Sequence, residues 1–234
     1  SDESDEPADE PDDAAETEEE PVSEAEEEAT ADSDDGDAGA VEGEAIQGGT
    51  LIIQSTQVPR HLNGTVQSGY ATAVPGTQLN ASPLLFDENF EPQPYLAESW
   101  EIDPDSQWIR FKLREGVMSN WGNELTADDV VWTWHRKLAL GAIGGFYASV
   151  LSYTRPEMVR KESKYVVSFN LDNPNPLLMK LQPNLYNPIF DSTKCAEAGG
   201  SEDPWAKEFL KNNTAGFGPY EIAKLVRGNQ AVYK

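Results

Sequence analysis

Two histidines, His61 and His135, and one cysteine, Cys195, are the only side chains in 234 residues that could act near neutral pH as a proton shuttle, a thiolate nucleophile or a soft metal ligand. Acyl transfer would ask for a serine on a G-x-S-x-G turn, zinc hydrolysis for H-E-x-x-H, and nucleotide chemistry for a P-loop or G-x-G-x-x-G. None of these patterns occurs. Carboxylate pairs could be drawn in many places, but no spacing singles two of them out. His135 falls on the polar side of a helical pattern and is expected to be solvated. His61 stands in a Gly- and Asn-rich loop, where it either bonds locally or meets a ligand. A lone cysteine gives no disulfide framework and no thiolate metal site, so Cys195 is expected to be a small buried or half-buried apolar residue. Acyl transfer, zinc hydrolysis and nucleotide chemistry therefore lack their usual parts.

The elements that would position any site begin after an acidic segment. Residues 1–44 carry 22 of the 42 acids and no Lys or Arg, which leaves 20 acids against 17 bases in the rest of the chain. The net charge of −25 therefore belongs to one segment. A halophile would spread its acids over the folded surface, and a nucleic-acid binder would cluster Lys and Arg, so both classes are set aside. With no aromatic and almost no large aliphatic residue, residues 1–47 cannot offset the entropy of ordering, and they predict a disordered, self-repelling tether. The remainder holds all six Trp, eight Tyr and eight Phe, enough for a substantial core. No run approaches the roughly 18 apolar residues of a membrane span.

Thr50-Leu51-Ile52-Ile53-Gln54 reads as the first strand, and residues 58–83 as a loop with short helical turns. Residues 108–114 alternate, with Ile109, Phe111 and Leu113 on one face, which predicts a half-buried antiparallel strand. Thr126, with Asp129 three residues on, predicts an N-cap. Ala127, Val131, Trp134 and Leu138 then give one apolar face to a helix over 127–140, stopped by Gly141. Val167, Phe169 and Leu171 predict a second alternating strand, ended by Asn173-Pro174-Asn175-Pro176. A short helix over 177–181, a helix over 205–212 capped by Asp203-Pro204, and a hairpin of 221–226 with 231–233 complete the pattern.

Six stretches, in order, resemble solute-binding protein family 5 of ABC importers, the oligopeptide- and dipeptide-binding type. They are Gly48-Gly49-Thr50-Leu51, Arg60-His61-Leu62-Asn63, Pro94-Tyr95-Leu96-Ala97-Glu98-Ser99-Trp100, Phe111-Lys112-Leu113-Arg114-Glu115-Gly116-Val117, Leu125-Thr126-Ala127-Asp128-Asp129-Val130 and Gly216-Phe217-Gly218-Pro219-Tyr220. The family's Phe-x-Asp-Gly turn is replaced here by Asn120-Trp121-Gly122-Asn123. The resemblance implies an α/β protein built as a periplasmic-binding-protein-like two-lobe clamp (type II, peptide-binding cluster). Residues 48–234 would supply only its first lobe region, a mixed sheet with antiparallel strands, and the distal lobe would follow Lys234. It implies a non-catalytic, extracytoplasmic subunit, lipid-anchored through an upstream cysteine, that captures short peptides and delivers them to membrane permease subunits. A monomer is expected, with no nucleic-acid partner, metal or cofactor. Contacts are expected from Val58, Arg60, His61, Asn63, Gly216 and Phe217, in loops where glycine lets the backbone approach a ligand. The same family fold also serves nickel chelates, haem and oligosaccharides. A hydrolase with its catalytic residues beyond Lys234, or a sensor domain on a stalk, are readings from other classes.

Overall fold

The computed structural model describes residues 76, 78–183, 187–226 and 230–234. The expected first strand at 50–54, the acidic segment and most of the following loop lie outside these residues. Gly76, Gln78 and Leu79, at the end of that loop, are helical.

Alternation does what the pleat requires. Strands β3 (Ala97–Ile102), β4 (Trp108–Leu113), β5 (Val159–Ser163) and β6 (Val166–Asn170) form one sheet in the order β3-β4-β6-β5. Every pairing is antiparallel, with Phe111 opposite both Trp100 and Val167. Ile109, Phe111, Leu113, Val167 and Phe169 are buried on its inner face. Phe111 and Phe169 meet edge to face at 5.7 Å, and Phe169 in turn meets Trp134 at 5.3 Å and Tyr153 at 5.4 Å. The outer face of β4 is cationic, and acids on β3 and β5 answer it. Arg110 lies 3.2 Å from Glu101 and 2.8 Å from Glu162, and Lys112 pairs with Glu98. Two more antiparallel pairs, β1 (Leu84–Phe86) with β2 (Pro92–Pro94) and β7 (Ile222–Val226) with β8 (Gln230–Tyr233), complete the described strands. Among the described residues no strands pair in parallel.

Helix α1 (Ala127–Leu140) starts at Thr126, whose N–H donates to Asp129 Oδ2 at 2.7 Å, and ends at Gly141 with φ of +62°. Its bounds match the sequence expectation, but its burial does not. Besides Ala127, Val130 and Trp134, the polar residues Thr133, Arg136 and Lys137 are buried. The reason is that α1 lies between two cores. One side faces the sheet. The other packs against α4 (Ser192–Gly199) and the small cluster of Phe190, Cys195, Ala206, Leu210 and Ala215, with Trp132 at its edge. His135 is half-buried rather than solvated, and its Nε2 lies 3.0 Å from the Pro156 carbonyl.

Helix α2 (Ala142–Val150) follows α1 directly and anchors through Tyr147, whose hydroxyl donates to the Leu181 carbonyl at 2.9 Å. Asn175, within the expected turn, donates to Val150 O at 2.9 Å and accepts the Leu177 N–H at 2.9 Å, which launches α3 (Leu177–Lys180). The helix expected over 205–212 is shorter: α5 spans Phe209–Asn212. Ala206 is left-handed (φ +48°) and sits so close to Gly199 that a Cβ there would lie 3.3 Å from Ala206 N and Cα. That packing breaks the helical path, and Asp203 caps the turn instead, accepting the Glu208 N–H at 2.8 Å.

Candidate functional site

The turn between β4 and α1 is where distant segments converge. Gly122 turns the chain with φ of +81°, and the Ser119 hydroxyl accepts the N–H groups of Trp121 and Asn123 at 3.2 and 3.3 Å. That hydroxyl donates to Asp191 Oδ2 at 2.5 Å, and the Asn123 amide donates to the same oxygen at 2.9 Å. Asp191, fully buried, is the N-cap of α4 and accepts the Lys194 N–H at 2.8 Å. Its backbone N–H donates to Ala215 O at 2.7 Å, which brings in the segment leading to Gly216.

Asp129 completes the knot from the other side. While Oδ2 holds the start of α1, Oδ1 accepts the Ser192 N–H at 2.8 Å and the Ser192 hydroxyl at 2.7 Å. One carboxylate therefore caps two helices. Burial pushes its pKa up, and the hydrogen bonds from Ser192 and Thr126 pull it back. Trp121, in the departing Asn-Trp-Gly-Asn turn, donates its indole N–H to Thr214 O at 2.7 Å and packs 6.0 Å from Phe209. The Lys194 ammonium lies 4.3 Å from the Trp121 ring centroid.

The glycine motif closes the arrangement. A Cβ on Gly216 would lie 2.3 Å from Leu79 O, and one on Gly218 would lie 2.5 Å from the Leu79 carbonyl carbon. Only glycine permits this approach. The motif thus packs on Leu79, downstream of the stretch in which ligand contacts are expected, with Tyr220 N–H on Gln78 O at 3.2 Å. Phe217 is 6% exposed and belongs to the main core, and Gly216 bridges to Phe190. Gly216 packs on Leu79 and Asn80, and the Phe217 ring joins the core. Val58, Arg60, His61 and Asn63 lie outside the described residues.

Groups that could do chemistry are held otherwise. The Cys195 thiol is buried and pushed up to about 12, chiefly by desolvation. Lys137 is 1% exposed, donates to Asn187 Oδ1 at 2.7 Å and lies 3.9 Å from the Trp134 ring centroid; burial, helped by neighbouring Arg136, drives its pKa well below the ordinary lysine value. Among the described residues no group of three or more His, Cys, Asp or Glu could hold a metal ion. Sequence reasoning found Asp129 as a cap but missed its second partner and missed Asp191 altogether. The signal for Asp191 was an Asp-Ser pair opening a short helix, and nothing local says that Ser119, 72 residues earlier, answers it.

Residues 91–234 match the family described as bacterial extracellular solute-binding proteins, family 5 Middle. The chain is 27% identical over 190 residues to the periplasmic oligopeptide-binding protein OppA of Haemophilus influenzae, covering 75% of this chain and 34% of that protein. It is 28% identical over 194 residues to the oligopeptide-binding protein AppA of Bacillus subtilis, covering 80% and 33%. Among solved structures, Haemophilus influenzae OppA in complex with the peptide RPPGFSPFR superposes with a TM-score of 0.64 at 24% identity, over 76% of this chain and 36% of that one. The fold is that of the peptide-binding cluster of periplasmic binding proteins. The chain spans about a third of the length of these relatives.

Proposed function

The chain belongs to family 5 of the bacterial extracellular solute-binding proteins, and on that footing we propose that it is the N-terminal part of an ABC importer's solute-binding subunit. In this reading the subunit captures short peptides outside the cytoplasm and hands them to membrane permease subunits without chemical turnover. It works as a monomer, tethered by the acidic residues 1–47 and held at the membrane through an upstream lipid-modified cysteine. A distal lobe beyond Lys234 closes over the ligand.

The observation that carries the non-catalytic reading is the fate of the reactive groups: Asp129, Asp191, Cys195 and Lys137 are buried and, apart from the thiol, committed to hydrogen bonds that join segments. A scaffold built this way holds a surface still. The peptide reading draws on the relatives named as oligopeptide-binding, and on how extended peptides are gripped, main-chain hydrogen bonds for affinity with tolerant pockets for side chains. Val58, Arg60, His61 and Asn63 supply contacts from the stretch upstream of Leu79, on which the glycine motif packs. The backbone of Gly216 and Phe217 serves by fixing that packing.

Native mass spectrometry of the whole gene product, after incubation with a pool of di- to hexapeptides, tests the reading. Intact peptides retained at one per protein are expected, and Arg60→Ala or Asn63→Ala should lower retention roughly tenfold, on the scale of one lost hydrogen bond to a charged group. Retention of a nickel chelate, haem or an oligosaccharide in place of peptides would move the ligand within the family fold. Hydrolysed peptides would contradict the assignment.

A further inference from the structure

Two polar atoms deep in the main core meet no partner of the protein's own. Trp134 and Tyr153 are 0% and 1% exposed, yet neither the Trp134 indole N–H nor the Tyr153 hydroxyl has a hydrogen-bonding group within reach among the described residues. The two side chains touch. Their rings pack edge to face at 4.8 Å, and both lie against Phe169, at 5.3 and 5.4 Å. The orphaned atoms therefore belong to one cluster, where α1 meets the sheet and the segment that follows α2.

Other buried polar groups of this fold are treated differently. Asp129, Asp191 and Asn187 are buried as deeply, and each hydrogen-bonds through both of its polar ends. A buried donor without an acceptor carries its whole desolvation cost. The polar side chains around the cluster are already spent: the Tyr147 hydroxyl donates to Leu181 O, the Lys137 ammonium to Asn187 Oδ1, and Arg136 Nε to Trp205 O. Ile109, Phe111, Val130, Leu151 and Val167, which share this core, offer no side-chain acceptor.

We propose that Trp134 and Tyr153 bind an internal water molecule, which accepts the indole N–H and hydrogen-bonds with the phenol hydroxyl. Water fits the pair, because the indole can only donate, the hydroxyl can give or take, and a water does both. A halide would accept from both groups, but its charge would need a cation in the same dry site. The cation there is Lys137, 3.9 Å from the Trp134 ring centroid, and burial disfavours its charged form. Held between the two groups, the water ties α1 to the segment after α2 by directional bonds that ring packing alone does not supply.

A crystal structure of the whole gene product, at a resolution that shows ordered solvent, is expected to carry a density peak within hydrogen-bond distance of both Trp134 Nε1 and the Tyr153 hydroxyl oxygen. An empty map at that place would overturn the proposal. So would a peak that exchanges for bromide on soaking, since that marks a halide. Tyr153→Phe gives a second readout, in solution, whose sign decides. If the water bridges the pair, deleting the hydroxyl strips it of a partner, and the Tm should fall by about 2 °C. If the hydroxyl is an orphan in the native state, deleting it removes a desolvation cost, so a Tm that holds or rises contradicts the bound water. The substitution keeps the ring, and with it the packing on Trp134 and Phe169.

Discussion

Asp129 shows how much one carboxylate can carry. Its four accepted hydrogen bonds tie the first turn of α1 to the first turn of α4 across 63 residues of sequence. Asp129→Ala leaves those donors without partners in a buried site and should cost about 2–3 kcal/mol in urea unfolding. A loss below half of that would mean that water or neighbouring groups replace the carboxylate. Lys137 gives a prediction with a defined sign. Its native pKa lies well below the ordinary 10.5, so between those values the unfolded chain binds more protons than the native one and stability rises with pH. Lys137→Met removes that slope. The variant's Tm relative to the unsubstituted protein should fall as the pH rises toward the ordinary lysine value. A constant difference across that range would show that the ammonium is charged in both states.

At the scale of elements, the glycine motif is the tightest constraint. Gly216→Ala would drive a methyl group to 2.3 Å from Leu79 O and 2.5 Å from Asn80 Oδ1, and the first of these is backbone that cannot swing aside. A destabilisation of about 2–3 kcal/mol is expected by thermal or urea unfolding, against little change for Ala at exposed positions. Strands β4 and β6 and helix α1 were legible in the sequence because their signals are local: strict alternation, and a Thr with an Asp three residues on. The burial of Arg136 and Lys137 was not. Reading one apolar face from period 3.6 assumes one packing partner, whereas α1 has a sheet on one side and α4 on the other. Helix α4 itself, with its Lys, Glu and terminal Gly, offers no apolar run long enough to announce it. The helix expected over 205–212 failed for a related reason, since close packing of Ala206 on Gly199 overrode a sound local cap.

At the scale of the molecule, charge is unevenly divided along the sequence. The acids concentrate in the first 44 residues, while the rest is nearly balanced and spends its charges on cross-strand pairs. Family membership was legible because its marks are structural devices: a cap that serves two helices, a glycine motif that packs on Leu79, and a strand that alternates into the core. Ligand contacts were less legible. A residue such as Arg60, in a Gly- and Asn-rich stretch, carries no periodicity, and for Gly216 and Phe217 the signals of packing and of ligand contact are the same residue types. Titration calorimetry of the whole gene product against short peptides asks directly whether the protein captures without converting. Saturable heat at one peptide per protein, returning to baseline after each injection, is the result expected of a binding subunit. Sustained heat with each injection, or cleaved peptide recovered from the cell, would contradict it.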